Sequence, residues 1–495
     1  MRNSVFILVV FISNNLFSQI ANDSLRNNCW VLGYEYNTLG SINHVFFDFQ
    51  GDSLRIDSLI VPNSLYMSYT NASICDTAGN LSFFSNGCGV MGANFQYIPG
   101  AIQINEGTLQ SYLCNEVGGG RRPDAMLILP DDDGSSYHLI HTRLTDIPVL
   151  VSDRLLWSKI YQDVDEELST VFTDSTVIEQ FLFSGNLSAC RHANGLDWWV
   201  VSPKNIDNIY YMVKMGSSSY SIHADTIGLP TDEYDDSTGE AVFSPDGTRY
   251  ARYTIHADLQ IFDFDRCTGQ FSHPIHVPIV DAADTSYSAG VAFSPSGQYL
   301  YVSSTRQIYQ FDMQAADIPA SKTTVATYDG FFYPIPQLPT RFYQCELGPD
   351  GKIYISCPGG KRVMHVIEHP DSAGLACQVV QHKYILDYPI FGGLPHFPNF
   401  RLGALPGGAC PSVSAVGVGE QPEGIKVYPN PASSALYVQW PGKENPYRII
   451  NLYGQTIQIG RLVEGVNTLD LQSITAGVYF LVVGNGEWAK FVITH

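Results

Sequence analysis

Short apolar runs alternate with turn residues along almost the whole chain, and the alternation has a long period. Ala241-Val242-Phe243-Ser244 ends in Pro245-Asp246-Gly247, Val291-Ala292-Phe293-Ser294 in Pro295-Ser296-Gly297, and Glu346-Leu347-Gly348 in Pro349-Asp350-Gly351. A second β-rich run follows each turn: Arg249 to Ile255, Gln298 to Ser303 and Lys352 to Ser356. Proline fixes φ and glycine supplies φ > 0, so Pro-Asp/Ser-Gly between apolar runs predicts a hairpin. Looser copies at Ile74 to Asn80, Leu129 to Gly134 and Cys190 to Gly195 extend the series. Gly79, Gly134, Gly195, Gly247, Gly297 and Gly351 are separated by 55, 61, 52, 50 and 54 residues. Such a period, with four strands in each unit, is the signature of a propeller blade.

Four strands can be read in one full unit: Ala241 to Ser244, Tyr250 to Ile255, Leu259 to Phe264 and Ser272 to Ile279. The next unit repeats them at Val291 to Ser294, Tyr299 to Ser303, Ile308 to Met313 and Thr323 to Tyr328. Six units run from Ser73 to His382. Trp30 to Tyr36, His44 to Phe49 and Ser53 to Ile60 add three strands, and Leu394 to Phe400 a fourth. Together these predict a seventh blade closed by mixed termini, a reading preferred to six or eight because closure removes open sheet edges. From Gly403 to Gly424 the chain turns to small residues and prolines, as a linker does. Seven short strands follow between Ile425 and Ile493, which predicts a small β-sandwich. The expected fold class is thus all-β: a propeller body over 19–402, a linker over 403–424 and a sandwich over 425–495.

Charge narrows the partners. With 48 acidic against 27 basic residues the net charge is −21, which would be repelled by nucleic acid and by anionic membrane surfaces. At the N-terminus Arg2, the apolar run Val5 to Ile12 and Leu16-Phe17-Ser18 predict a secretory signal peptide over 1–18, cleaved before Gln19. No later run is long and apolar enough to predict a membrane span. Export makes disulfides permissible among the 10 cysteines. Cys75 with Cys88, and Cys345 with Cys357, bracket hairpins and could lie opposite each other, with Cys267 to Cys345 as an alternative.

Two resemblances attach to these residues. The Ser-Pro-Asp/Ser-Gly turns resemble those of WD-repeat-like and TolB-like propellers. Phe264 to Gly269, Cys345 to Tyr354 and Leu394 to Phe400 resemble segments of large secreted propeller proteins of gliding-type bacteria. The second resemblance is sharper. Val427-Tyr428-Pro429-Asn430-Pro431-Ala432, Asn451-Leu452-Tyr453-Gly454, Leu469-Asp470-Leu471, Ala476-Gly477-Val478-Tyr479-Phe480-Leu481 and Lys490-Phe491-Val492 resemble the type A sorting domain of the type IX secretion system. That resemblance implies passage through the outer membrane, a partnership with the secretion machinery, and release or anchoring at the cell surface. It marks Tyr428, Pro429, Asn430, Pro431, Gly454, Gly477 and Tyr479 as sorting-motif residues.

Candidate chemistry is sparse. Asp232, Glu233, Asp235 and Asp236, with Glu240 close behind, could together ligate Ca²⁺, which takes six to eight oxygens. The spacing is not that of an EF-hand, and a solvated acidic loop is the preferred reading. Asp131-Asp132-Asp133-Gly134 reads as a turn. His138 and His141 point to opposite faces of a strand, and His365 and His369 share a face without an accompanying carboxylate pattern. Gly118-Gly119-Gly120-Arg121-Arg122 has no following helix, which argues against a phosphate loop. Trp198 and Trp199 should face opposite sides of their strand. Without a coherent catalytic set, the expected function is a secreted or surface propeller that binds a protein or glycan. The alternative is an extracellular hydrolase or lyase acting on a polymer.

Overall fold

The computed structural model describes residues 23–34, 42–51, 53–61, 64–132, 134–145, 151–163, 167–230, 239–280, 289–334, 337–405, 410, 426–451, 456–483 and 487–494. The proposed signal peptide, Asp133, Asp232, Glu233, Asp235, Asp236, Gly454 and most of the expected linker lie outside them. The chain divides into two compact units, Met1–Cys410 and Pro411–His495.

In the first unit, antiparallel sheets follow one another along the sequence. The first sheet holds β1 (Cys29–Gly33), β2 (Ile42–Asp48) and β3 (Arg55–Val61). The second holds β4 (Ala72–Cys75), β5 (Leu81–Ser85) and β6 (Val90–Gly92). Four four-stranded sheets follow: β7 (Met126–Pro130) to β10 (Leu168–Leu182), β11 (Ser188–Arg191) to β14 (Tyr220–Thr226), β15 (Gly239–Phe243) to β18 (Gln270–Val277), and β19 (Ala289–Phe293) to β22 (Thr323–Thr327). A small hairpin, β23 (Phe332–Pro334) and β24 (Gln337–Pro339), precedes the last sheet, β25 (Cys345–Leu347) to β28 (Val379–Ile390).

Burial explains why these runs stack as propeller blades. First strands such as β4, β7 and β11 are buried along their whole length, because each is packed between neighbouring sheets. Outer strands alternate: Arg55, Asp57 and Leu59 of β3 are exposed and the residues between them half-buried. Consecutive sheets share apolar cores. Trp198 packs towards β7–β10 and Trp199 towards β15–β18, as adjacent residues on a strand must. The last sheet packs on the first through Tyr354, Met364 and Val366 against Trp30, Leu32 and Phe47, closing the ring.

The expected fourth strand of the first sheet is absent among the described residues: Leu394 to Phe400 joins no ladder. Pro395 and Pro398 remove two of the donors a ladder needs. The segment runs instead along the inner strands, with Leu394 N on Gln344 Oε1 at 3.0 Å and Asn399 Nδ2 on the Pro245 carbonyl at 2.7 Å. At Gly393 a Cβ would stand 2.3 Å from the Tyr69 carbonyl oxygen, so only glycine fits.

The cysteines also pair differently from expectation. Cys88 is bonded to Cys114 and Cys267 to Cys410, while Cys75, Cys345 and Cys357 are free. Register is the reason: Cys75 stands opposite Leu81, and Cys345 opposite Ile355 rather than Cys357.

The second unit holds two sheets. One comprises β29 (Lys426–Tyr428), β30 (Ala435–Trp440) and β33 (Gly465–Asp470). The other comprises β31 (Asn445–Asn451), β32 (Thr456–Leu462), β34 (Gly477–Val483) and β35 (Glu487–Ile493). Leu436, Val438, Ile449, Leu481 and Phe491 form their common core.

Candidate functional site

The polar residues of most interest lie where first strands meet. Glu240 belongs to β15 and is 1% exposed, so it does not stand in a solvated loop with the acidic run before it. Its Oε2 accepts from Val291 N at 2.8 Å and Cys345 N at 3.0 Å, joining β15 to β19 and β25. Asp124, just before β7, is 2% exposed, and its Oδ1 accepts from Gln344 Nε2 at 2.9 Å. Its Oδ2 is buried with no hydrogen-bond partner among the described residues. His396 comes from the segment that failed to form a strand. One side-chain atom from each of Asp124, Glu240 and His396 lies within 4.8 Å of the others. Glu346 of β25 completes the group, its Oε2 3.4 Å from His396 Nδ1.

Electrostatics make this group unusual. Burial raises Asp124 to about 7, Glu346 adds to the rise, and His396 opposes it. Burial also pushes Glu240 well above the ordinary carboxylate range, helped by the charge of Asp124. Glu346 is likewise raised by burial, against a hydrogen bond from the Phe397 backbone. Beside the group lies a cavity of about 290 Å³, lined among others by Phe243, Phe293, Leu347, Phe397 and Arg401. Glu346 and His396 line it as well, whereas Asp124 and Glu240 sit behind them.

Sequence reading found Glu240 but missed Asp124, Glu346 and His396. Glu346 and His396 were read only as parts of structural motifs. A usable signal was present: an acidic residue inside the first, doubly buried strand of a unit needs a reason to be there.

The other candidates do not converge on a site. Asp131 is occupied by Lys159 Nζ at 2.7 Å and faces His138 Nε2 at 3.6 Å. His141 bonds Asn105 Oδ1 at 2.6 Å and Ser158 Oγ at 3.0 Å. His365 bonds Cys357 Sγ at 3.2 Å inside the core, and His369 lies beyond the end of β27 (Lys361–Ile367). In the glycine loop, Gly119 and Gly120 pack on Ser68 and Thr70, and the Arg121 guanidinium lies 5.0 Å from the Phe391 ring centre.

Of the residues expected to form the sorting motif, Asn430, Tyr428, Tyr479 and Gly477 make contacts within the second unit. Asn430 Nδ2 donates to the Lys490 carbonyl at 3.1 Å, and its Oδ1 accepts from Val492 N at 2.9 Å. Tyr428 stacks on Tyr437. Tyr479 OH donates to the Thr475 carbonyl at 2.9 Å while its ring packs on Phe491, and Gly477 leaves room beside that ring.

Comparison with known proteins separates the two units. No curated protein matches the chain. A protein from Lactobacillus plantarum is similar in structure at 13% identity and a TM-score of 0.43, over 75% of this chain and 100% of that one. A Bacteroides fragilis protein described as a putative 6-phosphogluconolactonase is similar at 13% identity and a TM-score of 0.42, over 74% of this chain and 96% of that one. PorZ, a surface component of the type IX secretion system of Porphyromonas gingivalis, is similar at 10% identity and a TM-score of 0.29, over 92% and 69%. Likenesses at this level assign no activity. Residues 426–494, by contrast, match the secretion system C-terminal sorting domain. No helix among the described residues is long and apolar enough to cross a membrane. The chain therefore carries a propeller followed by a type IX sorting domain, and is exported to be released or held at the cell surface.

Proposed function

We propose that the body is a seven-bladed propeller that binds an extracellular saccharide or peptide at one mouth of its channel, having been delivered there by the sorting domain. The observation that carries this reading is the cavity beside Glu346 and His396, where aromatic side chains and Arg401 converge with buried polar groups. Apolar walls with a few placed polar groups are what a small ligand site needs, and aromatic faces suit sugar rings. A hydrolase or lyase reading draws on Asp124, raised to about 7 and so suited to proton transfer near neutral pH. Asp124 and Glu240 do not line the cavity, however, which favours binding over turnover. Screening the full chain against glycan and peptide arrays tests the proposal. A hit weakened at least tenfold by Arg401→Ala supports it. Binding indifferent to that change, or cleavage of the captured polymer, would overturn it.

A further inference from the structure

The group at the neck poses an electrostatic problem that the protein's own side chains leave open. Three carboxylates, each no more than 6% exposed, meet one imidazole, and no Lys or Arg among the described residues forms an ion pair with Asp124, Glu240 or Glu346. Unpaired buried charge is costly enough that such groups either take up protons or gather round a cation. Asp124 Oδ2, in a side chain 2% exposed, has no hydrogen-bond partner among the described residues. The remaining polar atoms of the group are held in place. Gln344 grips Asp124 with Nε2 and the His396 segment with Oε1, and two backbone N–H groups grip Glu240. Glu346 faces His396 Nδ1, the position from which a carboxylate fixes the tautomer of a ligating imidazole.

We propose that Asp124, Glu240 and His396, with Glu346 oriented on the imidazole, bind a divalent transition ion of the Zn²⁺ or Mn²⁺ class at the neck of the propeller. Ligand atoms within 4.8 Å of one another can close around one ion after each shifts by less than about an ångström towards a common centre. The imidazole selects against Ca²⁺, which favours an all-oxygen shell. Three protein ligands leave at least one coordination position, and His396 and Glu346 already border the cavity. The ion does not depend on the saccharide or peptide reading: the array screen can fail while metal binds, and metal can fail while the arrays report a ligand.

The test uses the full chain, stripped with chelator and titrated with ZnCl₂, MnCl₂ or CaCl₂ alone. One equivalent of Zn²⁺ or Mn²⁺ should bind and raise the melting temperature of the propeller. Asp124→Asn and His396→Gln should each weaken binding at least tenfold, and Glu346→Gln about tenfold, as outer-shell partners do. Circular dichroism identifies any variant that fails to fold. X-ray absorption on the Zn²⁺-loaded wild type needs no variant: a shell of oxygen and imidazole nitrogen supports the site. A sulfur shell would place the ion on the free cysteines and overturn it, as would Ca²⁺ binding alone, no binding, or undiminished binding in folded variants.

Discussion

Asn430 is exposed, yet its side-chain amide spends both of its strong hydrogen bonds on β35. Ala432 N on the Val492 carbonyl and Thr494 N on the Ala432 carbonyl, both 2.8 Å, continue the same docking. Replacing Asn430 with alanine removes two bonds and leaves Val492 N without its acceptor. At about 0.5–1.25 kcal/mol for each net bond, the lower part of the usual range and suitable for an exposed site, the cost of losing two is about 1–2.5 kcal/mol. A unit of this size rarely holds more than about 3–5 kcal/mol in reserve. The open fraction should therefore rise roughly five- to seventyfold. Limited proteolysis of the full chain reads that fraction directly when opening is fast. Cleavage within 426–494 should accelerate by the same factor while the propeller stays intact. Fractionation of cells should show Asn430→Ala exported less well than wild type, and a chain lacking 425–495 retained in the envelope. If Asn430→Ala resists protease like wild type, the docking argument is wrong. If the truncated chain reaches the surface or medium normally, the sorting domain does not direct export.

Two further outcomes follow from buried groups in the propeller. Burial holds His141 down at about 4, with Asp174 opposing in part, while an unfolded histidine titrates near 6.5. Its contribution is therefore present above pH ~6.5 and lost as pH falls towards ~4, at most about 3 kcal/mol in all. Urea unfolding of wild type and His141→Asn between pH 7 and pH 4.5 should show the wild type losing its advantage on acidification; parallel losses would refute this. Opening the Cys267–Cys410 bridge, which spans 143 residues, with Cys410→Ser should cost about 2–4 kcal/mol and lower the propeller melting temperature by several degrees. Reductant should do the same to the wild type, and a non-reduced peptide map lacking the 267–410 cross-link would sink that assignment.

What could be read from the chain was whatever local chemistry dictates. Gly247, Gly297 and Gly351 take φ of 70°, 73° and 78°, and each closes its turn by a backbone bond to the residue three before it. Proline and glycine at fixed offsets enforce that geometry wherever the chain goes, so the repeat and its strands showed in the sequence. The neck did not. Asp124, Glu240, Glu346 and His396 come together only because first strands converge on a common axis, and none has a local pattern of ligand spacing. Cysteine pairing failed for the same reason: hairpin symmetry suggests Cys345 against Cys357, but the ladder register sets Ile355 there. At 395–398 two local signals conflict: apolar composition suggests a strand, while Pro395 and Pro398 lack the donors a ladder needs.

The segment after β28 gives the molecule its order of operations. It supplies His396 to the neck, and it also leads from the first unit towards the sorting domain. Between these roles it is pinned repeatedly: Asn71 Nδ2 to the Gly393 carbonyl, Gln344 to Leu394 N, Asn399 to Pro245, Arg266 to the Gly403 carbonyl, and Leu405 N to the Ala193 carbonyl. The Cys267–Cys410 bond then fixes the last residue of the unit covalently. A pull applied beyond Cys410 must break that bond before it reaches His396. The candidate site is built partly from the chain that leads to the sorting domain, so the bridge shields it from strain arriving from that side. The bridge forms only under oxidising conditions, so this protection is in place only once the chain has left the cytoplasm.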